Sequence, residues 1–256
     1  MKIISPRAYY EPEQFSSAHL DKDIEEAFMK AGFLYTVVTP EPSRGVDRSV
    51  RREYKKRKLE EKYGGKLIIK RFSIYGEGKN LVLRAFRYAL CCTAEYFKCM
   101  RIKDADVIYV ASTPPIQGAL AALIKKKLKI PYIYNLQDIF PDSLVNAGMT
   151  KEGSLIWKIG RRIENYTYKN ADRIIAASED IMNNIINKDV PREKIEVINN
   201  WADVKMIQII ERKGNKLFDE FSLPRDKFYV TYAGNLGSAQ GIETIIDAAA
   251  LLKDNG

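Results

Sequence analysis

Short runs of β-branched and aromatic residues alternate with helical patterns along almost the whole chain, and this alternation constrains the fold most. The runs predict strands near residues 2–5, 34–39, 67–71, 106–110, 131–135, 173–177, 194–198 and 228–233. Apolar residues at helical spacing predict helices near residues 16–31, 80–101, 115–129, 152–170, 179–187 and 240–254. Strands that alternate with helices form parallel sheets covered on both faces. The sequence therefore predicts an α/β fold with a doubly wound, Rossmann-like parallel sheet, whose ligands bind beyond the carboxyl ends of the strands.

The stretch NNWADVKMIQIIER, which begins at Asn199, separates the last predicted strand and helix from the others. We expect a first domain over residues 1–200 and an interdomain linker over 201–226. Residues 227–256 then form the first strand and helix of a second domain. A single strand and helix cannot bury both of their apolar faces. We therefore expect the chain to stop within that second domain.

Positive charge is concentrated in one segment. Between Arg44 and Arg71 there are twelve Lys or Arg residues and four acidic ones, whereas the net charge of the whole chain is +9. Such a segment suits phospholipid headgroups or nucleic acid, or it is a solvated loop. The helix at 80–101 is amphipathic, so we expect residues 44–71 and 80–101 to contact an anionic membrane surface. The segment lacks the aromatic pattern of RNA-binding sheets, and we expect no nucleic acid as a partner.

Cysteine and histidine limit the possible chemistry. Cys91, Cys92 and Cys99 do not have the spacing of a zinc site, and we predict that they fill the core. The single histidine, His19, excludes a Ser-His-Asp triad and a multi-histidine metal site. It falls in the first turn of a predicted helix, which suits a surface residue or a substrate contact. Without a signal peptide or a membrane-spanning apolar run, we expect a cytoplasmic protein, peripheral on the inner face of the cell membrane.

Three loops beyond predicted strands carry candidate ligand groups. Asp138 follows the fifth strand, next to Gln137, where a carboxylate can accept hydrogen bonds from hydroxyl groups. Glu13 follows the first strand on the same side of the sheet. Gly234 and Gly237 let the backbone approach a ligand just before a helix, whose N-terminus favours an anion such as phosphate. Their spacing matches neither the dinucleotide fingerprint nor a P-loop.

Five segments together carry a family resemblance. In chain order they are YYEPEQFSS, LQDIFPDS, KNADRIIAASE, VINNWAD and YAGNLGSAQGIETIIDAA. Their order and spacing resemble the retaining family 4 glycosyltransferases of GT-B fold, particularly those of bacterial surface-polysaccharide assembly. The resemblance implies that an N-terminal Rossmann-like domain binds the acceptor, that a C-terminal domain binds the nucleotide sugar, and that catalysis takes place in the cleft between them. One departure is that the first loop, from Tyr9 to Phe15, contains no glycine.

The resemblance implies transfer of a sugar from a nucleotide-sugar donor to a lipid-linked or polysaccharide acceptor in cell-surface glycan biosynthesis, without a metal or other cofactor. It implies a catalytic role for Asp138. The candidate acceptor-binding residues are Glu13, His19, Gln137 and Asp138. The implied donor-phosphate residues are Gly234, Asn235 and Gly237. We expect the 256-residue chain alone to be inactive. The alternatives are a noncatalytic glycan-binding or partner subunit completed by a second chain, and a basic nucleic-acid-binding protein.

Overall fold

The computed structural model describes residues 1–13, 17–76, 78, 80–205, 207, 209–234, 236 and 240–252. Within these ranges the strands are β1 Lys2–Pro6, β2 Leu34–Pro40, β3 Leu59–Lys62, β4 Leu67–Phe72, β5 Val107–Ala111, β6 Tyr132–Leu136, β7 Arg173–Ala176 and β8 Ile195–Val197. The helices are α1 Ala18–Lys30, α2 Arg48–Tyr54, α3 Leu81–Cys99, α4 Ile116–Leu128, α5 Asp142–Asn146, α6 Leu155–Asn170, α7 Glu179–Ile186, α8 Leu217–Glu220 and α9 Ile242–Leu251.

The strands form one sheet in the order β3-β4-β2-β1-β5-β6-β7-β8. Every neighbouring pair is parallel except β3 and β4, which are antiparallel. The strand order reverses between β1 and β5, since β1 pairs with β2 on one side and with β5 on the other. This confirms the predicted α/β fold with a doubly wound, Rossmann-like parallel sheet. It also defines the point at which such sheets open a crevice for ligands.

The sheet is buried on both faces, which is why its strands appear as nearly continuous apolar runs in the sequence. Ile3 belongs to a core cluster with Met29 of α1, whereas its neighbour Ile4 belongs to a second cluster that includes Leu120 of α4. Successive residues of a strand point to opposite faces, so each face has its own core. Cys91 and Cys99 are buried in the second cluster, which confirms their predicted packing role.

The structure differs from the predicted elements in the basic segment and at residues 228–233. Strand β3, with the sequence LEEK, and helix α2 fall in the basic segment, where we predicted neither. The predicted strand at 228–233 is wrong, because these residues have no strand conformation in the structure. The described residues after β8 include no strand with which residues 228–233 could pair. A strand is not stable without a partner for its backbone N–H and C=O groups.

The chain divides into two compact units. The first comprises Met1–Val145 and Met149–Asn200, and the second comprises Asn146–Gly148 and Trp201–Gly256. The first unit contains the whole sheet and the helices α1 to α7, apart from Asn146 at the end of α5. In the second unit the guanidinium groups of Arg212 and Arg225 stack on Phe218, at 4.9 Å and 5.1 Å from the ring centroid.

Candidate functional site

Two loops meet at the carboxyl ends of β5 and β6, next to the point where the strand order reverses. The backbone N–H of Ser112, after β5, donates to the carbonyl of Asn135, at 3.0 Å. The hydroxyl of Ser112 accepts a hydrogen bond from the backbone N–H of Gln137, also at 3.0 Å. These two bonds hold the start of the loop after β6 against the end of β5.

A chain of side-chain hydrogen bonds crosses this edge of the sheet. The Asn135 amide donates to the hydroxyl of Tyr109 at 2.8 Å, and it accepts from the Gln137 amide at 2.8 Å. The Gln137 oxygen in turn accepts from the amide of Asn200, beyond β8, at 2.8 Å. Asn135 is buried and Asn200 is exposed. This series of hydrogen bonds therefore links the protein interior to the surface and fixes the orientation of Gln137.

Asp138 lies directly after this anchored residue and is exposed. No side-chain hydrogen bond or ion pair involves its carboxylate in the described part of the structure. The residue lines a small recess together with residues from β6, α6 and two loops, namely Pro115, Tyr134, Leu136, Phe140, Glu164 and Tyr168. A carboxylate in this state can accept hydrogen bonds from the hydroxyl groups of a ligand.

The loop beyond Asp138 is packed tightly against α6. A Cβ atom placed on Gly160 would lie 2.7 Å from Phe140 Cε1 and 2.9 Å from Pro141 Cβ, so only glycine allows this close approach. Asp142 accepts hydrogen bonds from Arg161 of α6 at 2.9 Å and from Lys188 at 2.8 Å. The Phe140–Asp142 segment thus has a structural role that limits the movement of Asp138.

Lys188 and Arg161 also bind a second carboxylate. Glu164 is buried and accepts from Arg161 at 2.6 Å, from Lys188 at 2.9 Å and from the hydroxyl of Tyr168 at 3.0 Å. The four charged groups therefore form a compensated network that joins α5 and α6 to the turn after α7.

Glu13 is buried, and backbone groups occupy its carboxylate. One oxygen accepts from the N–H groups of Ser43 and Arg44 at 2.6 Å and 2.7 Å, and the other accepts from Tyr10 N–H at 3.3 Å. The residue joins the loop after β1 to the loop after β2. Its role in acceptor binding stays a prediction, as does that of His19, which is exposed in the first turn of α1.

The predicted donor-phosphate residues belong to the second unit. Gly234 precedes α9, and a Cβ atom there would lie 2.8 Å from the hydroxyl of Tyr232. Asn235 and Gly237 lie outside the described residues. Helix α9 begins after Gly241, which has a φ of +56°. The phosphate-binding role of this turn stays a prediction.

Arg7 is a buried charged residue near the point where the strand order reverses, and the sequence patterns did not single it out. It follows β1 directly, is buried, and forms an ion pair with Asp21 at 2.5 Å. It donates hydrogen bonds to Ser5 and Tyr35. Burial opposes its positive charge, but the Asp21 carboxylate raises the pKa of Arg7 well above the ordinary value. The signal in the sequence was a single arginine directly after an apolar first strand. It could have predicted a buried cation near the point where the strand order reverses.

The described residues do not include three His, Cys, Asp or Glu side chains grouped so that they could hold a metal ion.

Burial raises the pKa of two carboxyl groups, that of Glu25 on α1 to about 7 and that of Glu95 on α3 to about 8. Both residues lie within helices that cover the sheet.

Sequence comparison connects this arrangement to known proteins. Residues 22–205 match Glycosyltransferase Family 4. The chain is 26% identical over 192 residues to the Probable glycosyltransferase WbjE of Pseudomonas aeruginosa, covering 71% of this chain and 44% of the relative. It is 27% identical over 125 residues to the Putative colanic acid biosynthesis glycosyl transferase WcaI of Escherichia coli strain K12, covering 48% of this chain and 31% of the relative. The matched region thus spans less than half the length of these curated relatives.

Solved structures share the fold. Sucrose-phosphate synthase from Thermosynechococcus elongatus has a TM-score of 0.64 at 14% identity, over 98% of this chain and 60% of that protein. Anabaena Alr3699/HepE in complex with UDP-glucose has a TM-score of 0.59 at 17% identity, over 98% of this chain and 57% of that protein. These likenesses show the fold alone, which is that of GT-B glycosyltransferases. Because the family match extends over most of the chain, the chain belongs to Glycosyltransferase Family 4.

Proposed function

We propose that this chain forms the acceptor-binding part of a retaining glycosyltransferase of cell-surface glycan biosynthesis, which transfers a sugar from a nucleotide-sugar donor to a lipid-linked or polysaccharide acceptor. One observation carries the proposal. Asp138 is an exposed carboxylate on a loop that Ser112 and Gly160 hold in place, at the ligand-binding edge of the sheet. The names of WbjE and WcaI, and the UDP-glucose bound by HepE, support this reading.

Asp138 accepts a hydrogen bond from an acceptor hydroxyl in this proposal and orients it toward the donor sugar. The Gln137 amide is occupied by its neighbours, so it positions Asn200 and Asp138. Asn200 gives one N–H to Gln137 and can offer its remaining amide groups to a second sugar hydroxyl. His19 and Glu13 complete the acceptor side, with Glu13 acting through the loops that it joins.

The donor diphosphate binds at Gly234, Asn235, Gly237 and the N-terminus of α9, without a bound metal. We propose that the 256-residue chain does not transfer sugar by itself, because a lone helix N-terminus does not provide walls for the base and ribose. Calorimetry with uridine and guanosine nucleotides should then give dissociation constants no tighter than roughly 1 mM. Micromolar affinity, or sugar transfer by the chain alone, would contradict this part of the proposal.

An Asp138→Asn substitution tests the acceptor role. In the complete enzyme, with its donor domain, turnover should fall by at least about tenfold, equivalent to about 1.4 kcal/mol of transition-state stabilisation, while the melting temperature stays the same. Asp104→Asn is the matched control. Asp104 is exposed beside the amino end of β5, and its φ of +63° suits asparagine. If Asp138→Asn unfolds the domain and spares the turnover of the folded fraction, Asp138 is structural.

We also propose that the domain binds the inner face of the cell membrane. Helix α2 and the residues after it carry Arg48, Arg51, Arg52, Lys55 and Lys56. Helix α3 exposes a stripe of apolar side chains at helical spacing, Leu83, Phe86, Leu90 and Phe97. Among the described residues, no helix has the length and apolar character to cross a bilayer. Basic residues near anionic lipid contribute about 1 kcal/mol each before salt screening.

Vesicle co-sedimentation tests the membrane proposal. The domain should bind phosphatidylglycerol vesicles, bind neutral vesicles less, and dissociate as salt rises. Replacing Phe86 and Phe97 together with serine should weaken binding. Leu123→Ser, which removes an exposed apolar side chain from α4, should not. Equal binding to anionic and neutral vesicles would refute the proposal.

A further inference from the structure

Two arginines and two tyrosines, from the loops after β1 and β2 and from α3, form a connected group, and we call Tyr9, Arg44, Arg87 and Tyr88 the arginine–tyrosine cluster. The hydroxyls of Tyr9 and Tyr88 lie 2.6 Å apart. The guanidinium of Arg44 lies over the Tyr9 ring, 5.3 Å from its centroid. Arg87 contacts Ser43, the residue before Arg44, at 3.0 Å. Three chain segments that are distant in sequence thus converge on one place.

Arg87 is an unusual residue for a protein interior. It is fully buried, with Nε donating to the carbonyl of Tyr75 at 3.0 Å and Nη2 donating to the hydroxyl of Ser43. Its Nη1 is buried and has no hydrogen-bond partner among the described residues. The buried carboxyl group on the same helix, Glu95, binds Gln117 and Cys91 instead. A buried cation without a paired carboxylate is costly, so this arrangement suits an anion supplied by a ligand.

Arg44 presents a second guanidinium at the surface. It is exposed, and within the described ranges its side chain forms no ion pair. The loop that carries it is nevertheless fixed, because Glu13 accepts hydrogen bonds from the backbone N–H groups of both Ser43 and Arg44. Backbone N–H groups therefore occupy the Glu13 carboxylate, which forms no ion pair with Arg44 or Arg87 among the described residues.

We propose that the arginine–tyrosine cluster binds a phosphate group of the acceptor substrate, an assignment that rests on the proposed function. Arg44 contacts the phosphate from the surface, and the buried guanidinium of Arg87, which holds Ser43, adds positive charge from beneath this loop. Guanidinium groups bind phosphate oxygens through paired N–H donors. The charge of two guanidinium groups matches that of a phosphate dianion better than that of a single carboxylate. The Tyr9 ring, stacked against the guanidinium of Arg44, holds that guanidinium in place. The acceptor is then a phosphorylated or diphosphate-linked glycan.

Calorimetric titration with inorganic phosphate at fixed ionic strength tests the site directly. The wild-type chain should bind phosphate, and Arg44→Gln and Arg87→Lys should each weaken binding by about tenfold or more. Arg52→Gln is the matched control. Arg52 is exposed on α2, and its substitution removes the same charge from the same basic segment. Its phosphate affinity should stay within about twofold of the wild type. Because Arg87 is buried, Arg44→Gln decides the test if Arg87→Lys fails to fold.

Phosphatidylglycerol vesicles separate an acceptor phosphate from a lipid headgroup. If the cluster binds the acceptor, Arg44→Gln and Arg52→Gln should reduce vesicle binding equally. A larger loss for Arg44→Gln would overturn the assignment in favour of a headgroup site. Absence of phosphate binding by the wild type, or unchanged affinity in a folded Arg44→Gln variant, would also overturn it. None of these measurements needs sugar transfer, so an inactive complete enzyme with intact phosphate binding would refute the proposed function and leave the anion site standing.

Discussion

Replacing Glu95 with glutamine should change how the stability of the first unit depends on pH. Glu95 is fully buried on α3, where it accepts a hydrogen bond from the Gln117 amide at 2.9 Å and contacts the Cys91 thiol at 3.5 Å. Burial raises its pKa from an ordinary 4.5 to about 8. The folded protein therefore holds a proton on Glu95 at neutral pH that the unfolded chain has already released.

The sign and size of the effect follow from this difference. Stability from a raised pKa is fully present below about pH 4.5 and is lost as the pH rises toward 8, because the unfolded chain binds fewer protons there. Between about pH 5 and about pH 8.5, Glu95 should lower the free energy of unfolding by about 4 kcal/mol. Glutamine resembles the protonated acid and does not titrate. The Glu95→Gln variant should therefore gain about 4 kcal/mol relative to wild type over this interval.

Urea unfolding followed by circular dichroism at several pH values measures the difference. Glu25 also titrates in this range, with a pKa of about 7, but it contributes equally to both proteins and cancels. Glu193→Gln, at an exposed position, serves as the control and should leave the pH profile unchanged. If the wild-type and Glu95→Gln curves stay parallel from acid to alkaline pH, the reasoning about burial at this site is wrong.

Two further substitutions test the packing around the site. Gly118→Ala should lower the free energy of unfolding of the first unit by about 1–3 kcal/mol, because a Cβ atom there would lie 2.2 Å from Thr167 Cγ2. Gly214→Ala is the control. A Cβ atom on Gly214 would have open space around it, so this substitution should change the melting temperature little. Lys188→Met should lower the free energy of unfolding by about 2 kcal/mol or more, because Arg161 is then the one cation that pairs with Asp142 and Glu164 among the described residues. Lys158→Met, at an exposed position of α6, is its control, and equal chemical denaturation midpoints for the two variants would contradict the network's role.

The parallel strands were predictable because both faces of the sheet are buried, which leaves long apolar runs in the sequence. Strand β3 was not, since its exposed edge carries LEEK and ion pairs hold it, Glu60 with Arg71 and Lys62 with Glu11. The failed strand at 228–233 shows the opposite case, in which a suitable apolar pattern finds no partner strand.

The candidate site was predictable only in part. Asp138 and Gln137 could be placed at a strand end from the sequence, because a loop after a parallel strand opens on the ligand side. The contacts of Gln137 with Asn200, and of Arg87 with Ser43, join residues far apart in the chain. Such pairings depend on how the loops pack, which local sequence patterns do not encode.

The two outer strands of the sheet have a consequence for self-association. At one margin lies β3, short and rich in charge, and at the other lies β8, which is only three residues long. An approaching strand from a second molecule would gain few hydrogen bonds at β8 and would meet glutamates and a lysine at β3. Natural sheets resist amyloid-like stacking and strand exchange by these means. The two outer strands are thus poor templates for pairing with a strand of a second molecule.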